Sequence, residues 1–157
     1  MKELNLNIPV KIVSLDELNE KEKSLVELAK DATFRSYAPY SKFKVGAAIA
    51  LSNGEVIVGS NQENAAYPSG TCAERSACFY AHAKYPEAAF EAIAIAARGT
   101  EDKFVETPAA PCGACRHSLL EYETLAGHNV EVILAGEKEI YVLPSVKSLL
   151  PLAFDSF

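Results

Sequence analysis

Two apolar runs meet at Asn53-Gly54. The stretch "FKVGAAIALSNGEVIVGSN", from Phe43 to Asn61, therefore predicts an antiparallel hairpin, because Asn-Gly between apolar strands is a strong two-residue turn signal. Before it, Leu25, Leu28, Ala29 and Ala32 recur at helical spacing, and the helix they predict must stop before Pro39. Ser14 and Glu17 have the spacing of a capping box at its start. After the hairpin the periods alternate. A helix is expected from near Thr71 to about Tyr85, then a buried strand in "AFEAIAIAA", a helix from Cys112 to about Glu123, strands in "VEVILAG" and "EIYVLP", and a short helix in "SVKSLL". Helix, hairpin, then alternating helix and strand predict an α/β fold: a three-layer αβα sandwich with a mixed five-stranded sheet. "LNLNIPVKIV" (residues 4 to 13) alternates apolar and polar, which suits an arm or an extra edge strand, Pro9 favouring an edge.

The chain of 157 residues suits a single domain, 1–157, with residues 1–14 as the arm. A formal charge of -6 lacks the basic footprint of a polynucleotide binder. The longest apolar stretch, Ala88 to Ala97, is too short to cross a bilayer and carries Glu91. No signal-peptide core precedes the fold. These features point to a cytoplasmic protein without nucleic-acid or membrane partners, whose four cysteines are thiols or metal ligands rather than disulfides.

Cys112 and Cys115 in "PCGACRH" lie on one helix face, about 300° and one turn apart. Cys72 in "TCAERSA" falls at the start of another helix. Helix N-termini offer free N–H groups and partial positive charge, which favour thiolates. Three thiolates from two such ends can converge on one cation. Zinc suits that set, and three protein ligands with an open fourth position form a catalytic rather than a structural site. Cys78 and His117 turn away by about 240° and about 200° and do not close the set; Cys78 reads as a packed core thiol. A lone C-x-x-C also fits a redox pair, a structural site or coincidence, but a redox reading leaves Cys72 and Glu74 unexplained. Glu74 is either a first-turn carboxylate stabilised by the helix dipole or a proton shuttle beside a metal. Arg75 and Arg116 are either solvated or hydrogen-bond donors to the sulfurs.

Cys72-Ala73-Glu74 followed by Pro111-Cys112-Gly113-Ala114-Cys115 is similar to the zinc deaminase signature, in which cysteine can replace the histidine of H-x-E. "YAPYSKFKVGAAI", "NQENAAYPSG", "CAERSA", "PCGACR" and "LLPLAF" resemble, in order, five blocks of the short-chain cytidine deaminases. They cover the chain from Tyr37 to Phe154 and leave the N-terminal part outside. The resemblance implies one zinc ion per chain on Cys72, Cys112 and Cys115, with Glu74 as the proton shuttle and Arg75 neutralising the thiolates. It implies Phe43 against the pyrimidine, Asn61 and Glu63 on the ribose hydroxyls, and the Ala73 N–H on the base. Ala65, Tyr67 and Phe154 would complete a neighbouring subunit's site in a homotetramer. The implied activity is hydrolytic deamination of cytidine and 2′-deoxycytidine in pyrimidine salvage. A deaminase of a cytosine-nucleoside antibiotic of the blasticidin type, or an inactive zinc-stabilised binding module, are the alternatives. His117 stands where the family usually has glutamine, and Ser76 where threonine is commoner.

Overall fold

A computed structural model describes residues 1–155; the last two residues of the expected domain lie outside the described residues. The sheet is mixed, with strands β1 (Lys11–Val13), β2 (Lys44–Leu51), β3 (Val56–Ser60), β4 (Phe90–Arg98), β5 (Glu131–Ala135) and β6 (Ile140–Leu143). Their spatial order is β1-β6-β5-β4-β2-β3. Pairing is antiparallel except between β4 and β5, the pair joined through helix α3 (Gly113–Ala126). Parallel neighbours need such a crossover.

The sheet thus has six strands rather than the expected five. The sixth is the C-terminal end of the N-terminal arm, where Ile12 pairs with Tyr141 at the β6 edge. Residues 1–10 form no strand, and Leu4, Leu6, Ile8 and Val10 remain exposed. The alternation in the arm extends beyond the few residues with a partner strand.

Helix α1 (Glu20–Ala32) covers one face of the sheet. Its Leu25, Val26 and Ala29 pack with Ala48, Ala94, Ala96 and Ile133. Helices α2 (Ala73–Lys84) and α3 cover the other, where Ala77, Cys78, Ala81, Leu119 and Leu120 meet Ile49, Ile93, Ile95 and Val132. This is the expected αβα sandwich. Strands β2, β4 and β5 feed both clusters, so their apolar runs are nearly continuous rather than alternating.

Two local signals resolve differently from their sequence reading. Glu17 accepts from the Ser14 N–H (2.7 Å) and hydroxyl (2.9 Å), but the turn it closes is a short 3-10 segment, Leu15–Glu17. The α1 cap is Asn19, whose Oδ1 accepts from the Lys21 and Glu22 amides, both at 3.0 Å, while Glu22 accepts from the Asn19 N–H at 2.7 Å. The hairpin loop has three residues, Ser52 to Gly54, rather than two: Leu51 N–H donates to Glu55 O and Gly54 N–H to Leu51 O, each at 2.9 Å. Only Gly54 has positive φ (85°) in this turn, whereas a two-residue type I′ turn needs positive φ at both central residues. No helix among the described residues is long and apolar enough to cross a membrane.

Candidate active site

The N-termini of α2 and α3 meet on one face of the sheet. Cys72 is the N-cap of α2 and Cys112 the N-cap of α3, both with extended backbone. Neither side chain caps its helix by a hydrogen bond, so both sulfurs are available to a shared centre. Cys115 lies in the first turn of α3 and is fully buried. Gly59 on β3 sets the height of α2 above the sheet. A Cβ there would lie 2.6 Å from both Ala73 O and Ala77 N, so the helix start rests directly on the strand backbone.

The three sulfurs lie within 4.8 Å of one another. Cys72 and Cys112 Sγ are 3.9 Å apart, Cys112 and Cys115 Sγ 3.5 Å. Sulfurs bound tetrahedrally to zinc at about 2.3 Å would be about 3.8 Å apart. The spacing and the all-thiolate donor set therefore fit one zinc ion. Arg75 supplies the counter-charge: its Nη2 donates to Cys72 Sγ at 3.8 Å. Its Nε is buried with no partner among the described residues. A spare cationic donor at that position suits a centre in which three thiolates exceed the metal's charge.

Without metal, the sulfurs share their protons unequally. Cys72 is lowered to about 5, by the hydrogen bond from Cys115 first, then by Arg75 and Cys112. Cys115 is correspondingly raised, as the donor in that pair and by burial. Cys78 is buried outside the cluster and desolvation pushes its thiol up to about 12, as suits a core thiol.

Glu74, 4% exposed, sits in the first turn of α2. Burial raises its carboxyl, and the neighbouring Cys72 thiolate raises it further, while a hydrogen bond from Cys115 opposes this. A buried carboxyl in contact with the thiol cluster is poised to exchange a proton there.

Asn61 and Glu63 emerge from the end of β3 and turn toward the segment Ser36–Val45. Asn61 Oδ1 accepts from the Ser36 hydroxyl (2.5 Å) and the Val45 N–H (2.7 Å), and its Nδ2 donates to Phe43 O (2.9 Å). Glu63 accepts from the Tyr40 N–H at 2.8 Å and from the Ser41 N–H at 3.3 Å. The Ser41 hydroxyl holds its carboxylate below the ordinary range, against a small effect of burial. Both residues thus brace the loop that carries half-buried Phe43. The sequence pointed to Asn61 and Glu63 but not to Ser36, Tyr40 or Ser41. Their part depends on contacts across more than twenty residues, which no local pattern encodes.

In the single chain Cys112, Ala65 and Tyr67 are exposed, Tyr67 at 82%. Phe154, at 69%, lies against His117 on α3. Arg116 does not reach the sulfurs. Its Nε donates to Pro111 O (2.8 Å) and its Nη1 to Leu149 O (3.0 Å), tying the start of α3 to the C-terminal segment. A groove of about 730 Å³ lies elsewhere, lined by Leu25, Leu51, Val56 and Ile133, and takes no part in this centre.

Known proteins share this arrangement. The family model described as the cytidine and deoxycytidylate deaminase zinc-binding region matches residues 19–126. The cytidine deaminase of Sporosarcina psychrophila is 37% identical over 132 residues, 84% of this chain and 90% of that protein. That of Halalkalibacterium halodurans is 38% identical over 130 residues, 83% and 91% of the two chains. The crystal structure of cytidine deaminase from Burkholderia pseudomallei superposes with a TM-score of 0.72 at 40% identity, covering 87% of this chain and 100% of that one. The family match runs from the start of α1 to the end of α3 and takes in both cysteine motifs, so the chain belongs to the cytidine and deoxycytidylate deaminase zinc-binding family.

Proposed function

We propose that this protein hydrolyses cytidine, and 2′-deoxycytidine, to the uridine nucleoside and ammonia. The observation that carries the reading is a buried carboxyl, Glu74, in the same helix turn as Cys72 and next to the centre where the three cysteine sulfurs converge. Cys72, Cys112 and Cys115 hold one zinc ion. When bound, zinc supplies the Lewis acidity that makes water a competent nucleophile at neutral pH.

The chain's own groups do the rest. Glu74 takes the proton from the attacking water and delivers it to ring N3, which makes C4 electrophilic. It then carries a proton to the departing amino group. Burial suits both tasks, because it raises the affinity of the carboxyl for the proton that it must accept and return. Arg75 balances thiolate charge through its contact with Cys72. The Ala73 N–H, at the start of α2, recognises the base, and Phe43 packs against the pyrimidine. Glu63 and Asn61 address the ribose hydroxyls while bracing the Phe43 loop. A carboxylate beside the sugar also disfavours a phosphate there, so the substrate is the free nucleoside.

The protein acts as one domain over residues 1–157 and as a homotetramer. Ala65, Tyr67 and Phe154 complete the site of a neighbouring copy, which accounts for their exposure in the single chain. Its setting is the cytoplasm and its role pyrimidine salvage.

The test is uridine formation from cytidine by the purified protein, with Glu74→Gln alongside. The variant is expected to retain zinc and fold but to lose about 10²–10⁴ in turnover. Turnover within a factor of two of the parent would remove Glu74 from the mechanism. An inert parent with zinc bound would overturn the substrate assignment.

A further inference from the structure

After a short 3-10 turn, Val146–Leu149, the chain turns back over the first turns of α3. Among the described residues, two contacts tie this segment to α3 and a third closes it on its own 3-10 turn. Arg116 Nη1 donates to Leu149 O at 3.0 Å. Lys147 Nζ pairs with Asp155 at 2.5 Å. His117 Nε2–H donates to the main-chain carbonyl of Phe154 at 3.1 Å, and the two rings meet edge-on, with centroids 6.5 Å apart at 65°. These contacts engage the main-chain carbonyl of Phe154, the edge of its ring and the Asp155 carboxylate, while Leu152 is 81% exposed and Phe154 69% exposed in the single chain.

We infer that His117 is a positioning residue, which presents the Phe154 ring to the site of a neighbouring copy. The inference rests on the reading of Phe154 given above. His117 is turned about 200° from Cys115 on α3, so it serves the tail and not the metal. A hydrogen bond to the carbonyl of Phe154 fixes where the ring starts, and the edge-on imidazole limits the directions it can take. A loose tail would have to be ordered each time substrate binds, at a cost in affinity. The fastened tail has met that cost on folding. Removing the imidazole should therefore weaken substrate binding and leave the chemical step alone.

The experiment uses the full-length, zinc-loaded protein and four variants: His117→Ala, His117→Gln, Phe154→Ala and the double alanine variant. KM and kcat for cytidine are measured, together with zinc content and assembly mass. For His117→Ala, KM should rise about 3- to 10-fold, the worth of one net hydrogen bond, with kcat within a factor of two and zinc and mass unchanged. His117→Gln, whose side-chain amide can donate to the same carbonyl, should recover most of the loss. Phe154→Ala should raise KM at least as much, and His117→Ala should add nothing to it. An unchanged KM in His117→Ala, or an increase that multiplies with that of Phe154→Ala, overturns the role of His117 while leaving Phe154 in place. An unchanged KM in Phe154→Ala overturns the reading of Phe154 and this inference with it.

Discussion

Gly59→Ala tests whether the sheet sets the height of the metal centre. The added methyl would lie 2.6 Å from Ala73 O and Ala77 N, and 2.9 Å from Ala77 Cβ. That is about 0.8 Å inside ordinary van der Waals contact with two atoms. All three obstacles belong to α2, and two are backbone, so no side chain can rotate out of the way. Helix α2 must lift or β3 must bow by a comparable distance. Overpacking of this kind costs about 1–3 kcal/mol, a fall in Tm of about 3–10 °C for a domain of this size. The lift also carries Cys72, the α2 N-cap, away from Cys112 and Cys115, which belong to a different helix. Zinc affinity should fall along with stability. The assay pairs thermal unfolding of metal-free protein with zinc competition against a chromophoric chelator. Gly113→Ala is the control, because no atom lies within 4 Å of its built Cβ and alanine favours a helix; its Tm should hold or rise slightly. A Gly59→Ala protein with parental Tm and zinc affinity would refute the argument that β3 positions the centre.

Three further tests concern single groups. In metal-free protein, Cys72 has its thiol lowered to about 5. It is therefore already a thiolate at pH 6, and its alkylation rate should be nearly flat from pH 6 to 8, whereas an ordinary thiol speeds up about tenfold per unit; peptide mass spectrometry that finds the ordinary slope at Cys72 would contradict the sharing of protons among the three sulfurs. Buried Glu123 accepts from the amides of Val130 (2.9 Å), Val146 (2.7 Å) and Lys147 (3.1 Å) and from the Ser145 hydroxyl (2.7 Å). Glu123→Ala strands these donors and should cost about 2–4 kcal/mol in urea unfolding, and a loss below half a kcal/mol would mean that water replaces the carboxylate. Asn61→Ala should raise KM and also lower stability by about 1–3 kcal/mol, because it removes three internal hydrogen bonds. A pure sugar ligand would affect KM alone.

What could be read in the sequence was what depends on near neighbours. The helical spacing of Leu25, Ala29 and Ala32, the turn at Gly54, and the position of Cys72 and Cys112 at helix starts all follow from local geometry. So did the three-sulfur set, because two helix N-termini bearing thiols have a shared chemical use. Even there the local signal gave the kind of feature and missed its extent. The Ser14–Glu17 pair closed a 3-10 turn rather than α1, and Asn53-Gly54 made a three-residue loop. The arm's alternation found a partner only at Lys11–Val13, since a strand exists only where another offers an edge. Tertiary structure alone decided which polar atoms are used up internally. Asn61 spends its amide on Ser36, Phe43 and Val45, Arg116 ties Pro111 to Leu149, and His117 holds Phe154. A hydrogen bond depends on a few tenths of an ångström between groups far apart in the chain, whereas a period or a cap is set by the residues beside it.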